Sequence, residues 1–248
     1  YAGTFDGNGH TISGLYFSKT ASNNYPSGGN NVGLIGYCRG ATIKNVGLID
    51  SYIKGYTCVG GICGYASNPT ITNCYNTATV LGSYDVGGIC GEGVGLSQEK
   101  CHNSGKISGI RFVGGICGYS NYNSSTNCYN TGMVSCSDYS VGGICGYGDG
   151  SQINCYNTGT VSGNSNVGGI CGSGCTQYNC YYLESCGSMN ALGISVTAEE
   201  LASGKITYLL NGSTSEGDFA WYQTLGDDGD AYPVLDNTHA VVYTTQPC

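Results

Sequence analysis

The chain has 248 residues, enough for one or two domains with a sizeable core. Glycine supplies 44 of them, cysteine 16 and tyrosine 22, while Lys and Arg together number 8 against 16 acidic residues, a net charge of −8. That balance lacks the clustered cations a nucleic-acid binder needs, and no apolar run approaches the ~20 residues of a membrane helix, so neither nucleic acid nor membrane insertion of this segment is expected. The first residue is Tyr1 rather than Met, and no leader-like stretch follows, which reads as a processed product or a fragment.

In chain order, residues 1–31 contain Thr4-Phe-Asp-Gly-Asn-Gly-His-Thr-Ile-Ser-Gly-Leu15 and read as a first, irregular capping coil. From Val32 a period takes over. Val32-Gly-Leu-Ile-Gly36 is followed by Val59-Gly-Gly-Ile-Cys-Gly64, with copies beginning at Val86, Val113, Val141 and Val167, in steps of 27, 27, 27, 28 and 26 residues. Asn73-Cys-Tyr-Asn-Thr77 recurs in phase at Asn127 and Asn154, and less closely at Lys100 and Asn179. No stretch within a repeat has helical apolar spacing. Instead, β-branched and aromatic runs at about 59–63, 71–76 and 79–82 are separated by turn residues such as Ala66-Ser-Asn-Pro69. Three short strands per repeat predict an all-β fold: a right-handed parallel β-helix of six to seven coils stacked at ~4.8 Å, with the repeats over 32–190. Identical positions then form columns along the axis. The row of Asn73, Asn127, Asn154 and Asn179 is expected to be a structural amide ladder at a coil corner. The row of Tyr75, Tyr129, Tyr156 and Tyr181 is either packing or a platform for a binding partner.

After residue 190 the character changes. Thr197-Ala-Glu-Glu200 is a capping box, and the apolar residues up to Leu210 predict one helix ended by Asn211-Gly212. Residues 197–248 carry 8 acidic and 1 basic side chain, so the acidity belongs to a C-terminal cap over 191–248, and the solenoid surface is close to neutral.

The even cysteine count points to a disulfide framework. The coil pairs Cys63/Cys74, Cys90/Cys101, Cys117/Cys128, Cys145/Cys155 and Cys171/Cys180, spaced 9 to 11 residues apart, are the expected bridges. Cys248, the last residue, is a candidate for a bridge to the cap or to another subunit. Cys38, Cys58, Cys136, Cys175 and Cys186 have no in-phase partner. No Cys-x-x-Cys pair is present, Cys171-x3-Cys175 stands alone, and the histidines do not cluster, so no metal bound by cysteine is expected.

The phase-locked Val-Gly-Leu-Ile-Gly and Val-Gly-Gly-Ile-Cys-Gly segments, with the leading Gly3-Thr-Phe-Asp-Gly-Asn-Gly-His10, resemble the GLUG-motif repeats of bacterial surface proteins. The resemblance spans about 1–190, and Trp221-Tyr-Gln-Thr-Leu-Gly226 is similar to the closing segment of such arrays. It implies an extracellular or cell-surface location. Such repeats occur in adhesin-like proteins and in non-catalytic parts of immunoglobulin-A1 peptidases.

For an active site, the solenoid offers Asp6, Asp50, Asp85, Glu92, Glu99, Asp138, Asp149 and Glu184, which do not share a phase and so build no carboxylate pair in one column. Asp227, Asp228 and Asp230 are a weak calcium candidate without the spacing of a full calcium loop. The expectation is a non-enzymatic, disulfide-stapled surface module acting as adhesin or stalk, with no catalytic residues and no cofactor. Its partner is a host or cell-surface glycan or protein, or itself in an end-to-end filament. A polysaccharide-active enzyme is the less favoured reading.

Overall fold

The computed structural model describes residues 1–19, 30–190, 192–214 and 216–243. Cys248 lies outside these residues. The expected all-β parallel solenoid is what forms. One representative coil contains the strands Cys63–Ser67, Thr70–Thr72, Tyr75–Asn76, Thr79–Leu81 and Tyr84–Gly87, so each coil has five short strands rather than three. They fall into three sheets of 13, 10 and 6 strands. Every pairing between coils is parallel and keeps equivalent residues in register, as in Val59↔Val86 and Val86↔Val113. The first strand, Thr4–Ser13, pairs with Thr42–Ile49.

The corner glycines explain why the Val-Gly-Gly-Ile motif recurs. A Cβ at Gly115 would collide with the Gly143 carbonyl of the next coil and the Asn130 amide, and Gly61, Gly88 and Gly143 are hemmed in the same way. Valine and isoleucine then fill the centre, where Val59, Ile62, Val86, Ile89, Val113 and Ile116 are fully buried.

The two asparagines of Asn-Cys-Tyr-Asn do different work. The first, at Asn45, Asn73, Asn127, Asn154 and Asn179, takes the left-handed corner conformation with φ of 51–55°, which asparagine tolerates better than most residues. The amide row expected there is broken. Asn73 donates to Asn45 at 3.2 Å and Asn179 to Asn154 at 2.8 Å, but Lys100 interrupts the column and Asn127 turns to the cap. The continuous ladder belongs to the second asparagine. Asn76, Asn103, Asn130 and Asn157 are wholly buried and donate Nδ2 to the next Oδ1 at 2.8, 2.7 and 2.8 Å. Each also donates to the carbonyl two residues on, at 2.8–3.0 Å, so Asn76, Asn103 and Asn130 use both amide hydrogens.

The cysteines require a correction. The within-coil pairs do not form, because the two cysteines of a coil stand in different columns. Cys63, Cys90, Cys117, Cys145 and Cys171 stack in register on the six-stranded sheet. Cys74, Cys101, Cys128, Cys155 and Cys180 stack one residue before the tyrosine column. From Cys63 to the end of its own strand is already about 13 Å, and a corner follows, whereas a disulfide needs Cα atoms within ~7 Å. In the first repeat the position in phase with Cys63 is Ile35. The thiols behave as small core residues with a weak donor: Cys63, Cys90 and Cys117 each bond the carbonyl two residues on at 3.2–3.3 Å. Cys38 Sγ lies 3.2 Å from Cys63 Sγ. Cys136 Sγ lies 2.9 Å from the carbonyl oxygens of both Ile110 and Tyr139, and its one hydrogen serves either of them. Among the described residues the disulfide is Cys171–Cys175, not Cys171–Cys180.

The single expected helix is two. Thr197 forms the capping box with Glu200, and Ala198–Ala202 and Lys205–Leu210 are divided at Gly204, whose φ is 80°. Leu201, Ile206, Leu210 and Trp221 pack with Tyr156 and Tyr181, so this segment lies along the tyrosine side of the late coils.

Asn103→Ala removes the acceptor of Asn76 and the donor to both Asn130 and Gly105, stranding buried polar atoms on three successive coils. A loss of about 3 kcal/mol is expected in urea unfolding, and a loss below about 1 kcal/mol would contradict the ladder's role.

Candidate functional site

Parallel in-register stacking places the rings of one column face to face. Tyr75, His102, Tyr129 and Tyr156 form a continuous stack, with centroid separations of 5.0, 4.7 and 5.1 Å and interplanar angles of 0, 7 and 4°. His102, from Lys100-Cys-His-Asn103, occupies the position that is tyrosine in the neighbouring coils. Because the rings face one another, the column presents their edges and hydroxyls outward.

The cap covers part of this column. The Trp221 ring packs on Tyr129 and Tyr156 at 5.9 and 5.3 Å, and its Nε1 donates to Asn127 Oδ1 at 3.2 Å. Asn211 holds the Trp221 backbone from both sides, accepting from N at 3.0 Å and donating to O at 2.8 Å. Tyr156 is fully buried, its hydroxyl donating to the Pro233 carbonyl, and Tyr181 is buried beside it. Of the four tyrosines expected to form a row, two are therefore packing. Tyr75 and Tyr129, with His102, remain at the open side.

There the cap stands off and leaves a cleft of about 570 Å³. Its solenoid wall is Asn73, Tyr75, Lys100, His102 and Tyr129; its cap wall includes Phe219, Tyr222, Leu235, Asp236 and His239. Asp230 fixes the cap wall. Its carboxylate accepts from Thr224 N at 2.7 Å and lies 2.6 Å from His239 Nδ1. Burial pushes the Asp230 carboxyl up, but the bonds from Thr224 and His239 outweigh it and hold the group below the usual range. The aspartate turn thus uses Asp230 to brace a loop, and neither Asp227 nor Asp228 joins it in a group of metal-ligating side chains among the described residues. Burial pushes His102 down to about 4, so it is neutral at pH 7 and stacks as an uncharged ring.

Most solenoid carboxylates have local structural partners. Asp6 pairs with Lys44 at 3.1 Å, Arg111 with Asp138 at 2.6 Å, and Asp149 accepts from Tyr122 N at 2.7 Å. One grouping was not legible from phase. Asp85 and Glu92, seven residues apart, meet across a corner together with Cys58, their ligating atoms within 4.8 Å of one another. Cys58 Sγ donates to Glu92 Oε2 at 3.0 Å and Thr57 Oγ1 to Asp85 Oδ2 at 3.1 Å. Burial, then the Glu92 charge, pushes Asp85 up to about 6 against the Thr57 bond.

Comparison with known proteins agrees with this architecture. Residues 55–81, one coil, match the GLUG motif. No curated protein matches the chain. The fold is similar to the crystal structure described as a "putative immunoglobulin A1 protease" from Bacteroides ovatus, with a TM-score of 0.67 at 22% identity over 93% of this chain and 76% of that one.

A neutral His102 predicts a pH signature. Its folded value of about 4 lies below the ordinary 6.5, so the unfolded chain binds the extra proton between those values, and its contribution is full above pH 6.5 and lost on acidification towards 4. Asp85, raised to about 6, acts in the opposite sense over an overlapping window. Comparison of the wild type with His102→Tyr, which keeps the ring stack, isolates the histidine. Between pH 6.5 and 4 the wild type should lose about 2–3 kcal/mol relative to the variant in urea midpoints, allowing for the ring edge that meets solvent. Parallel pH profiles would contradict a buried neutral His102.

Proposed function

We propose that this chain is a non-catalytic binding module of an extracellular or cell-surface bacterial protein, and that its cleft takes a short neutral glycan. The observation that carries the reading is where the cap stops: Trp221 covers Tyr156, and the half-buried rings of Tyr75, His102 and Tyr129 turn their remaining exposed edges into the cleft. The cleft's volume of about 570 Å³ falls within the range of small-ligand sites, ~300–1,000 Å³. Its lining suits an uncharged ligand with both apolar and hydroxyl-bearing edges. Lys100 and Asp236 offset one another in formal charge, and the other polar groups are amides, hydroxyls and imidazoles. The ring edges supply apolar contact, and the tyrosine hydroxyls and Asn73 both donate and accept.

The name of the Bacteroides ovatus protein is that of an enzyme, and its likeness to this chain is one of fold. A peptidase reading would place a nucleophile–base pair or a metal-activated water in the cleft. Here the acid–base pair of the cap wall, Asp230 and His239, is engaged with Thr224 in closing a turn. The GLUG repeats support a surface location.

The test is a glycan screen of the full chain followed by titration of the best neutral oligosaccharide. Tyr75→Ala and Tyr129→Ala should each weaken binding about tenfold or more, equivalent to ~1.4 kcal/mol, while Tyr16→Ala, in a separate ring stack, leaves it unchanged. A screen without a ligand, or a ligand indifferent to both cleft variants, would overturn the assignment.

A further inference from the structure

The far end of the first cysteine column differs from the rest of it. Cys145 is in register with Cys171, and Cys175 follows one short turn later. All three residues are buried, and their sulfurs lie within 4.8 Å of one another. They form a cluster of their own, apart from the Val/Ile core that holds Cys63, Cys90 and Cys117. A second observation comes from the neighbouring coil. Ser120 is 1% exposed, faces the Cys145 thiol, and its Oγ makes no well-formed hydrogen bond among the described residues. A buried hydroxyl beside the Cys145 sulfur puts an oxygen at the edge of the three-sulfur group.

We infer that the reduced chain binds one zinc-class divalent cation through Cys145, Cys171 and Cys175, with Ser120 Oγ or a water as the fourth ligand. Thiolate ligands at about 2.3 Å in a tetrahedral site stand about 3.8 Å apart, so the present spacing needs only small side-chain movements. Three sulfurs and one oxygen are a donor set that zinc accepts and that calcium and magnesium do not favour. The lone Cys171-x3-Cys175 spacing is not recognisable as a metal motif, because the third ligand, Cys145, comes from the preceding coil.

The disulfide and the cation compete for the same sulfurs. In the structure Cys171 and Cys175 are joined. A dithiol reductant delivers two electrons and two protons to that bond and leaves as its own cyclic disulfide, giving two thiols. The divalent cation then displaces the protons of three thiols, forming a complex of net charge −1 and releasing three protons to solvent. Oxidation by a small disulfide reverses the sequence: the Cys171–Cys175 bond closes, the oxidant becomes two thiols, and the cation departs. The site is thus a metal centre in the reduced chain and a disulfide in the oxidised one.

The experiment loads the full chain with Zn²⁺ alone, after reduction with a phosphine that is itself converted to phosphine oxide with water, and reads stoichiometry by native mass spectrometry and ligand identity by X-ray absorption. One equivalent with three sulfurs at about 2.3 Å is expected for the reduced chain, and none for the oxidised chain. Cys175→Ser should weaken binding at least tenfold, and Cys74→Ser, in the other column, should not. No uptake by the reduced chain, equal uptake by the oxidised chain, fewer than three sulfurs, or loss of binding in Cys74→Ser rather than Cys175→Ser would each overturn the site. The sulfur count is taken on the wild-type chain, so it holds even where a variant fails to fold.

Discussion

Everything in this molecule depends on one constraint: each coil must lie directly over the last at the spacing of a parallel sheet, ~4.8 Å, with equivalent residues in register. That constraint turns a 27-residue sequence period into columns, and each column is then judged by whether its side chain can stack on itself. Valine and isoleucine can, and make the core. Asparagine can, because one amide donates to the next while using its other hydrogen on its own coil. Tyrosine and histidine can, as parallel rings. Cysteine can, as a compact thiol with a backbone carbonyl within reach. The columns are therefore one solution repeated in several chemistries. A solenoid built this way gains stability from nearest-neighbour contacts, so a defect in one column is felt mainly by the adjoining coils.

The same constraint creates the candidate site. A ring column left bare would expose a long aromatic strip, and the C-terminal segment closes over half of it. Trp221 docks where its indole nitrogen finds Asn127, ninety-four residues earlier in the chain, and the cap is braced there by Asn211 and by Asp230 with His239. What the cap leaves uncovered is the cleft. Cap and cleft meet at this border, because the rings that bury the cap and the rings that line the cleft belong to one stack.

The architecture was legible in the sequence because the corner motif repeats in phase and because glycine, valine and asparagine have strong positional meaning. In a solenoid, separation along the chain does not measure separation in space. Cys63 and Cys74 are eleven residues apart yet in different columns, while Cys63 and Cys90 are twenty-seven apart and adjacent. Asp85 and Glu92 differ in phase yet meet across a corner. The first asparagine of Asn-Cys-Tyr-Asn looked like the ladder, but a left-handed corner residue points outward and the second one points in. His102 was the missed site residue, and the signal was present: Lys-Cys-His-Asn is in phase with Asn-Cys-Tyr-Asn. The seating of Trp221 had no local signal, since it depends on a contact between distant parts of the chain.

The measurement that tests the central claim most directly is side-chain amide hydrogen exchange, followed by NMR, at Asn76, Asn103, Asn130 and Asn157. If axial register is what holds the molecule, these amides are locked between coils and should exchange orders of magnitude more slowly than the exposed amide of Asn237, with a common rate for the central coils. Exchange of the four amides at the rate of Asn237 would mean that the coils are not joined through this ladder, and the account of both the stack and the cleft built upon it would fail.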